Sequence, residues 1–269
     1  MAKYYNATNN ANLNTALGGP TLANGDEVLL TYPGPVYTGG LTMGVDLLRF
    51  HIGPQYTGNF SSPIVTQANR SATGKIQYYG RGQIFNLNLA AGVVHEYEFA
   101  PSANASGETT NGTITTLVMS GGVQRIADTV DCNAVLQTGG DLFLTATATH
   151  VTNSAIVAGG RLYSERPCNA LDVLQGGVAE LIETSVVAIA PSGAINIDGG
   201  TLIYAGSSPS GVLTVAKGTL DFSKLKKDIT LAAGSRALPS STIIEPKAGV
   251  VVTYPSGFNV GQGPTYVKS

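Results

Sequence analysis

Two carboxylate pairs, Asp128 with Asp131 and Glu180 with Glu183, are the residues whose types and spacing come closest to acid–base chemistry. Glycoside cleavage needs two carboxyl groups about 5 to 9.5 Å apart, one to protonate the leaving oxygen and one to attack or to activate water. Each pair sits in the run that follows a glycine corner, so a groove-lining role is conceivable. The spacing argues against it, because residues three apart on an extended strand point to opposite faces. Surface solubility accounts for both pairs better, and no catalytic residue is assigned.

Other reactive side chains are as isolated. His95 opens "HEYEF", but the second histidine of an H-E-x-x-H zinc motif is missing and the segment alternates like a strand. His51 and His150 have no carboxylate or cysteine in their own short motifs. Cys132 and Cys168, 36 residues apart and without a C-x-x-C partner, read as two buried free thiols rather than a zinc or redox pair. Asp198 in "DGGTLIYAG" lacks the tandem copies that a calcium-binding nonapeptide repeat requires. No G-x-S-x-G, Walker or Rossmann pattern occurs, so no cofactor and no metal is expected.

Composition narrows the classes further. Charged residues are 12% of 269, about half of the roughly 25% usual in soluble domains, and Thr, Ser, Asn and Gly carry the polarity instead. With a net charge of −2 there is no dense Lys/Arg face to neutralise phosphates, and nucleic acid is not expected as a partner. Charge is nevertheless uneven: Gly112 to Gly199 holds three basic and eight acidic residues, whereas Gly200 to Ser269 holds seven basic and three acidic. "KLKKD", Lys224 to Asp228, supplies three of those basic residues; it reads as a solvated surface turn, with an electrostatic patch for an acidic partner as the alternative. The start "MAKYYNATNN" has no charged-then-apolar signal pattern, and no run approaches 18 apolar residues, so neither export by its own signal nor a membrane partner is expected. Five N-x-[ST] matches, at Asn6, Asn59, Asn69, Asn104 and Asn111, then reflect composition rather than glycosylation.

What positions these side chains is a repeat. Glycine pairs fall at Gly121-Gly122, Gly139-Gly140, Gly159-Gly160, Gly176-Gly177 and Gly199-Gly200, in steps of 18, 20, 17 and 23 residues. Each is flanked by short β-prone runs, as in "VLQTGGDLFL" and "INIDGGTLIY". A fixed doublet with a period near 20 suits a coil in which each unit is one complete rung and glycine makes the bend. Degraded copies continue through "VLTVAKGTLDF", "ITLAAGSRAL" and "TIIEPKAGVVVTYPSG", giving about eight units from Thr113 to Gly257. No apolar stripe of helical period persists, so the fold class expected is all-β, a single-stranded parallel β-helix (β-solenoid) with an N-terminal capping region. Successive rungs of such a coil stack at about 4.8 Å, and inward residues alternate with outward ones. "DLFLTATATHV" has that parity, with Leu142, Leu144, Ala146 and Ala148 on one side and Phe143, Thr145, Thr147 and Thr149 on the other.

The expected organisation is 1–64 as cap and first rungs, 65–112 as an irregular β elaboration, 113–257 as the regular coil and 258–269 as a tail. A short helix is expected from Ala11 to Leu17, ended by Gly18. In the elaboration, Tyr78, Tyr79 and Tyr97 form the densest aromatic group, read chiefly as sheet packing.

The run Asn24 to Leu30, followed by Pro33-Gly34 and Tyr37 to Gly40, resembles the opening rung of parallel β-helix proteins of the pectin-lyase-like superfamily. The glycine-doublet rungs are similar to those of phage tailspikes, small phage virion proteins and adhesin-type autotransporter passengers. The resemblance spans about two thirds of the chain and rests on scaffold motifs. It implies a non-enzymatic structural protein of a phage-like virion, a homotrimer that decorates or stabilises the capsid and meets the major capsid protein or other virion proteins. The alternatives are a tailspike or other carbohydrate-binding or depolymerising β-helix, or an adhesin passenger fragment.

Overall fold

The computed structural model describes 4–7, 27–30, 41–42, 49–52, 64–65, 75–78, 84–88, 93–99, 106–110, 112–145, 151–185 and 187–269, with side chains described at 96–99 and from 113 onward. Among these residues every regular element is a strand and every strand pairing is parallel, so the protein is an all-β parallel solenoid, as the glycine period predicts. Parallel neighbours follow from the length of the repeat, because a strand can meet the next in the same direction only after the chain has completed a lap. The helix expected at Ala11 to Leu17 lies outside the described residues. The chain forms two compact units, 1–134 with 140–142, and 135–139 with 143–269.

In the first unit, β1 (Tyr4–Ala7), β2 (Glu27–Leu30), β4 (Arg49–Ile52), β6 (Lys75–Tyr78), β8 (Val93–Phe99) and the first half of β10 (Gly112–Ile126) pair in sequence. One column runs through Ala7, Leu30, Ile52, Tyr78, Phe99 and Met119, in steps of 20 to 26 residues. A second ladder joins β7 (Ile84–Asn88), β9 (Ser106–Thr110) and the second half of β10, and a short third joins β3 (Leu41–Thr42) to β5 (Ile64–Val65). The stretch 65–112, which the glycine pattern leaves irregular, thus carries parallel rungs whose bends lack the doublet. Tyr97 belongs to this core: it is fully buried, its ring lies 6.4 Å from that of Phe99, and its hydroxyl donates to Gln124 Oε1 at 3.2 Å.

In the second unit the longer strands bend at glycine and so serve two ladders each. The first ladder takes β12 (Thr152–Ser164), β13 (Cys168–Leu174), β15 (Ile195–Ala205), β16 (Leu213–Asp221) and β18 (Arg236–Ala237). The second takes the later half of β12, β14 (Gly177–Ile182), the later halves of β15 and β16, β19 (Ser241–Ile244) and β21 (Thr265–Val267). A third joins β17 (Ile229–Thr230) to β20 (Val252–Thr253). Register puts like on like: Val157, Val173, Ile197, Val215 and Ala237 form one fully buried column, and Leu162, Ala179, Leu202, Leu220 and Ile243 another. Burying each large aliphatic side chain contributes about 1.5 to 3 kcal/mol, which makes these stacks the main cohesive element.

Why the bends demand glycine is visible at two of them. In β11 (Val130–Leu144), Gly140 has φ of 74°, and a Cβ there would stand 2.6 Å from the carbonyl carbon and oxygen of Gly121 in the rung before. Gly218 has φ of 99°, and its Cβ would overlap the carbonyl oxygen of Gly200. Glycine therefore sits against glycine from lap to lap, because the backbones approach too closely for any side chain.

Candidate functional site

The richest chemistry among the described residues lies in the second unit, where successive laps leave the second ladder. Four exits follow one another: Ile182 to Ser185 after β14, Ala205 to Ser207 after β15, Ser223 to Asp228 after β16, and Glu245 to Lys247 after β19. Backbone hydrogen bonds keep them stacked beyond the strands, from Glu183 N to Ala205 O (3.1 Å), Phe222 N to Ile244 O (2.9 Å) and Glu245 N to Val267 O (2.8 Å). Together they enclose a cleft of roughly 620 Å³. Its lining combines Lys224, Lys226, Lys227 and Lys247 with Glu183 and the apolar side chains of Ile182, Ala205 and Leu225.

Local sequence makes the third exit fold outward. Asp221 Oδ1 accepts from Ser223 N at 2.7 Å, and Leu225 N donates to Phe222 O at 2.9 Å, so "DFSKL" closes as a tight turn. Leu225 then turns in, being only 4% exposed, and this holds its neighbours Lys224 and Lys226 at the surface. From there Lys224 reaches back over the intervening lap to Glu180.

Glu180 departs from the expectation that it is a surface residue. Its side chain is 1% exposed, and its carboxylate accepts from Arg161 on one oxygen and Lys224 on the other. It does point to the opposite side of β14 from Ala179 and Leu181, as strand alternation requires, but the 223–227 turn covers it there. Burial pushes its carboxyl up, and the hydrogen bonds and charges of Lys224 and Arg161 outweigh burial and hold it below the usual glutamate range. Glu183 is bound in the same way. Lys227 donates to its Oε1, Ser207 Oγ donates to its Oε2 at 2.6 Å, and Lys227 Nζ also reaches Ser207 Oγ at 2.8 Å. Here too burial raises the carboxyl and Lys227 and Ser207 bring it below the ordinary value.

Beneath the cleft, Tyr204 anchors the floor. Its hydroxyl donates to Ile189 O at 3.1 Å and approaches Ser207 O, its ring meets Phe222 edge-on at 6.4 Å, and burial drives its ionisation well above the usual tyrosine range. Gly206 lies against this hydroxyl, since a Cβ there would stand 2.9 Å from Tyr204 Oη.

The structure separates the remaining candidates. Asp128 and Asp131 flank the turn closed by Val130 N to Ala127 O at 3.1 Å, both half-buried. Asp198 is exposed on β15 at a bulge, where Leu174 pairs with both Asp198 and Gly199. Cys132 and Cys168 are free and buried, their thiols turned to the carbonyls of Ala134 and Ala170 at 3.9 and 3.1 Å. The side chains of His51, His95, Tyr78 and Tyr79 lie outside the described residues, as does all of His150. Among the described residues no cluster of His, Cys, Asp or Glu could hold a metal ion, and no helix is long and apolar enough to cross a membrane.

Sequence reasoning singles out the Lys224 to Asp228 turn but misses Lys247. The signal is there, since Lys224 and Lys247 are 23 residues apart, one lap of this coil. Comparison with known proteins finds no matching family model, no matching curated protein and no matching solved structure.

Proposed function

We propose that this chain is a non-enzymatic structural protein of a phage-like virion, one that decorates or stabilises the capsid, working as a homotrimer against the major capsid protein. The observation that carries the reading is the make-up of the outward positions on the first ladder. They are small, mostly uncharged and bonded to one another across laps: Asn169 to Asn153 at 3.4 Å, Ser192 to Asn169 at 3.1 Å and Asn196 to Asp172 at 2.8 Å. A regular surface of this kind suits packing against copies of itself, because no charge has to be stripped of water on assembly. The non-enzymatic part of the reading is supported by the fate of the glutamate pair: both carboxylates are held ionised between cations, which suits neither proton donation nor attack.

Purified protein mixed with undecorated capsids of the phage whose genome carries the gene should sediment with them at physiological salt, and free passage of all the protein through the gradient rejects the decoration role. Incubation with a panel of surface polysaccharides should release no reducing ends. Release that disappears in Glu180→Gln or Asp128→Asn protein would replace this reading with that of a depolymerase.

A further inference from the structure

The cleft has more positive charge than its own architecture consumes. Of its four lysines, Lys224 is engaged by Glu180 and Lys227 by Glu183, whereas Lys226 and Lys247 are exposed and, among the described residues, have no ionic partner. They come from exits on different laps and face one cleft. Leu225 fixes the turn beneath Lys226, and the interlap bonds of Glu183 and Ser207 fix the opposite wall, so the two charges are presented on a braced frame.

We infer that this cleft is a docking site for a short extended acidic peptide segment of a partner protein, its carboxylates meeting Lys226 and Lys247 and an apolar side chain between them resting on Ile182, Ala205 and Leu225. The inference goes beyond the structural role proposed above and stands whatever the partner's origin. Three features select this occupant. The lining alternates cation with aliphatic surface, the complement of a peptide carrying both acidic and apolar residues. It contains no aromatic ring on which a sugar could stack, which disfavours an acidic glycan. It also contains Glu183, which would oppose the closely spaced phosphates of a nucleic acid. The volume lies within the range of about 300 to 1,000 Å³ typical of sites that enclose a small ligand.

Fluorescence anisotropy with a labelled peptide of alternating Glu and Leu, using the full chain, tests this directly. Binding should weaken steeply between 50 and 200 mM salt, and Lys226→Glu with Lys247→Glu together should reduce affinity at least tenfold, with the thermal midpoint unchanged because neither lysine holds the fold together. The inference is overturned if the peptide fails to bind at 50 mM salt, if the double variant binds it as tightly as the parent, or if polygalacturonate binds in a Lys226- and Lys247-dependent way while the peptide does not. Sedimentation of the protein alone supplies the last arm. Self-association abolished by the same double variant, with no peptide binding, would assign the cleft to a second copy of the chain instead.

Discussion

The two decorated edges of the second unit join successive laps by different means. On the first ladder, Asn153, Asn169 and Ser192, and separately Asp172 and Asn196, bond residues 16 to 24 positions apart, so each link joins a lap to its immediate neighbour. At the cleft, Glu180 with Lys224 and Glu183 with Lys227 are each 44 positions apart, and each link passes over a whole lap. A solenoid's stability is approximately a sum over neighbouring repeats. The amide edge obeys that rule, whereas the charged edge breaks it, because it ties the lap of β14 to that of β16 without passing through β15. The amide edge adds regularity, and the charged edge adds a clamp.

The largest blow to the clamp should come from Arg161→Ala with Lys224→Ala. Removing both cations leaves the Glu180 carboxylate buried and unpaired, at a cost of about 3 kcal/mol. Urea unfolding should show the loss, and adding Glu180→Gln to the pair should recover most of it. If the double variant is as stable as the parent, the long-range links are ornamental and the comparison fails.

Acid should have the next largest effect. A carboxylate whose folded pKa lies below its unfolded value contributes stability above the unfolded value, and that contribution is lost as pH falls through the folded one. Glu180 and Glu183 are both lowered from 4.5, so the thermal midpoint should fall as pH drops below about 4.5, and less steeply in Glu180→Gln protein. An unaltered slope in that variant would remove Glu180 from the acid response.

Lys227→Ala should cost less than about 1 kcal/mol, since this lysine is half exposed and Ser207 still satisfies Glu183. Smallest of all should be Asn196→Ala and Asn169→Ala on the amide edge, each within about 0.5 kcal/mol of the parent. Their effects should add, as expected of independent neighbour links, whereas Lys224→Ala and Arg161→Ala should show strong coupling in a double-mutant cycle because they share one carboxylate. Equal coupling at both edges would erase the distinction.

How much of this was legible beforehand follows from the same contrast. The coil and its core columns could be read because they recur: the doublets mark the bends, and the alternation of Leu142 and Leu144 with Phe143 and Thr145 marks which side chains turn in. The rungs between β5 and β9 could not be placed from glycine alone, since their register is set by columns such as Tyr78, Phe99 and Met119 rather than by a punctuating residue. Glu180 was read correctly as facing away from the core, yet that says nothing about burial once a turn 44 residues later folds over it. Lys226 and Lys247 belong to one site only because two laps stack, a relation that local sequence does not carry.

The glycine-on-glycine bends set a rule for how such a chain can change its length. A residue inserted or lost within a lap would bring a Cβ against the carbonyl that Gly140 or Gly218 now meets, whereas adding or deleting one complete lap returns glycine to the same seat. Growth of this molecule over evolutionary time is thereby quantised in whole turns, and a library of random short indels should yield folded survivors mainly in the exits that lead away from the stacked strands.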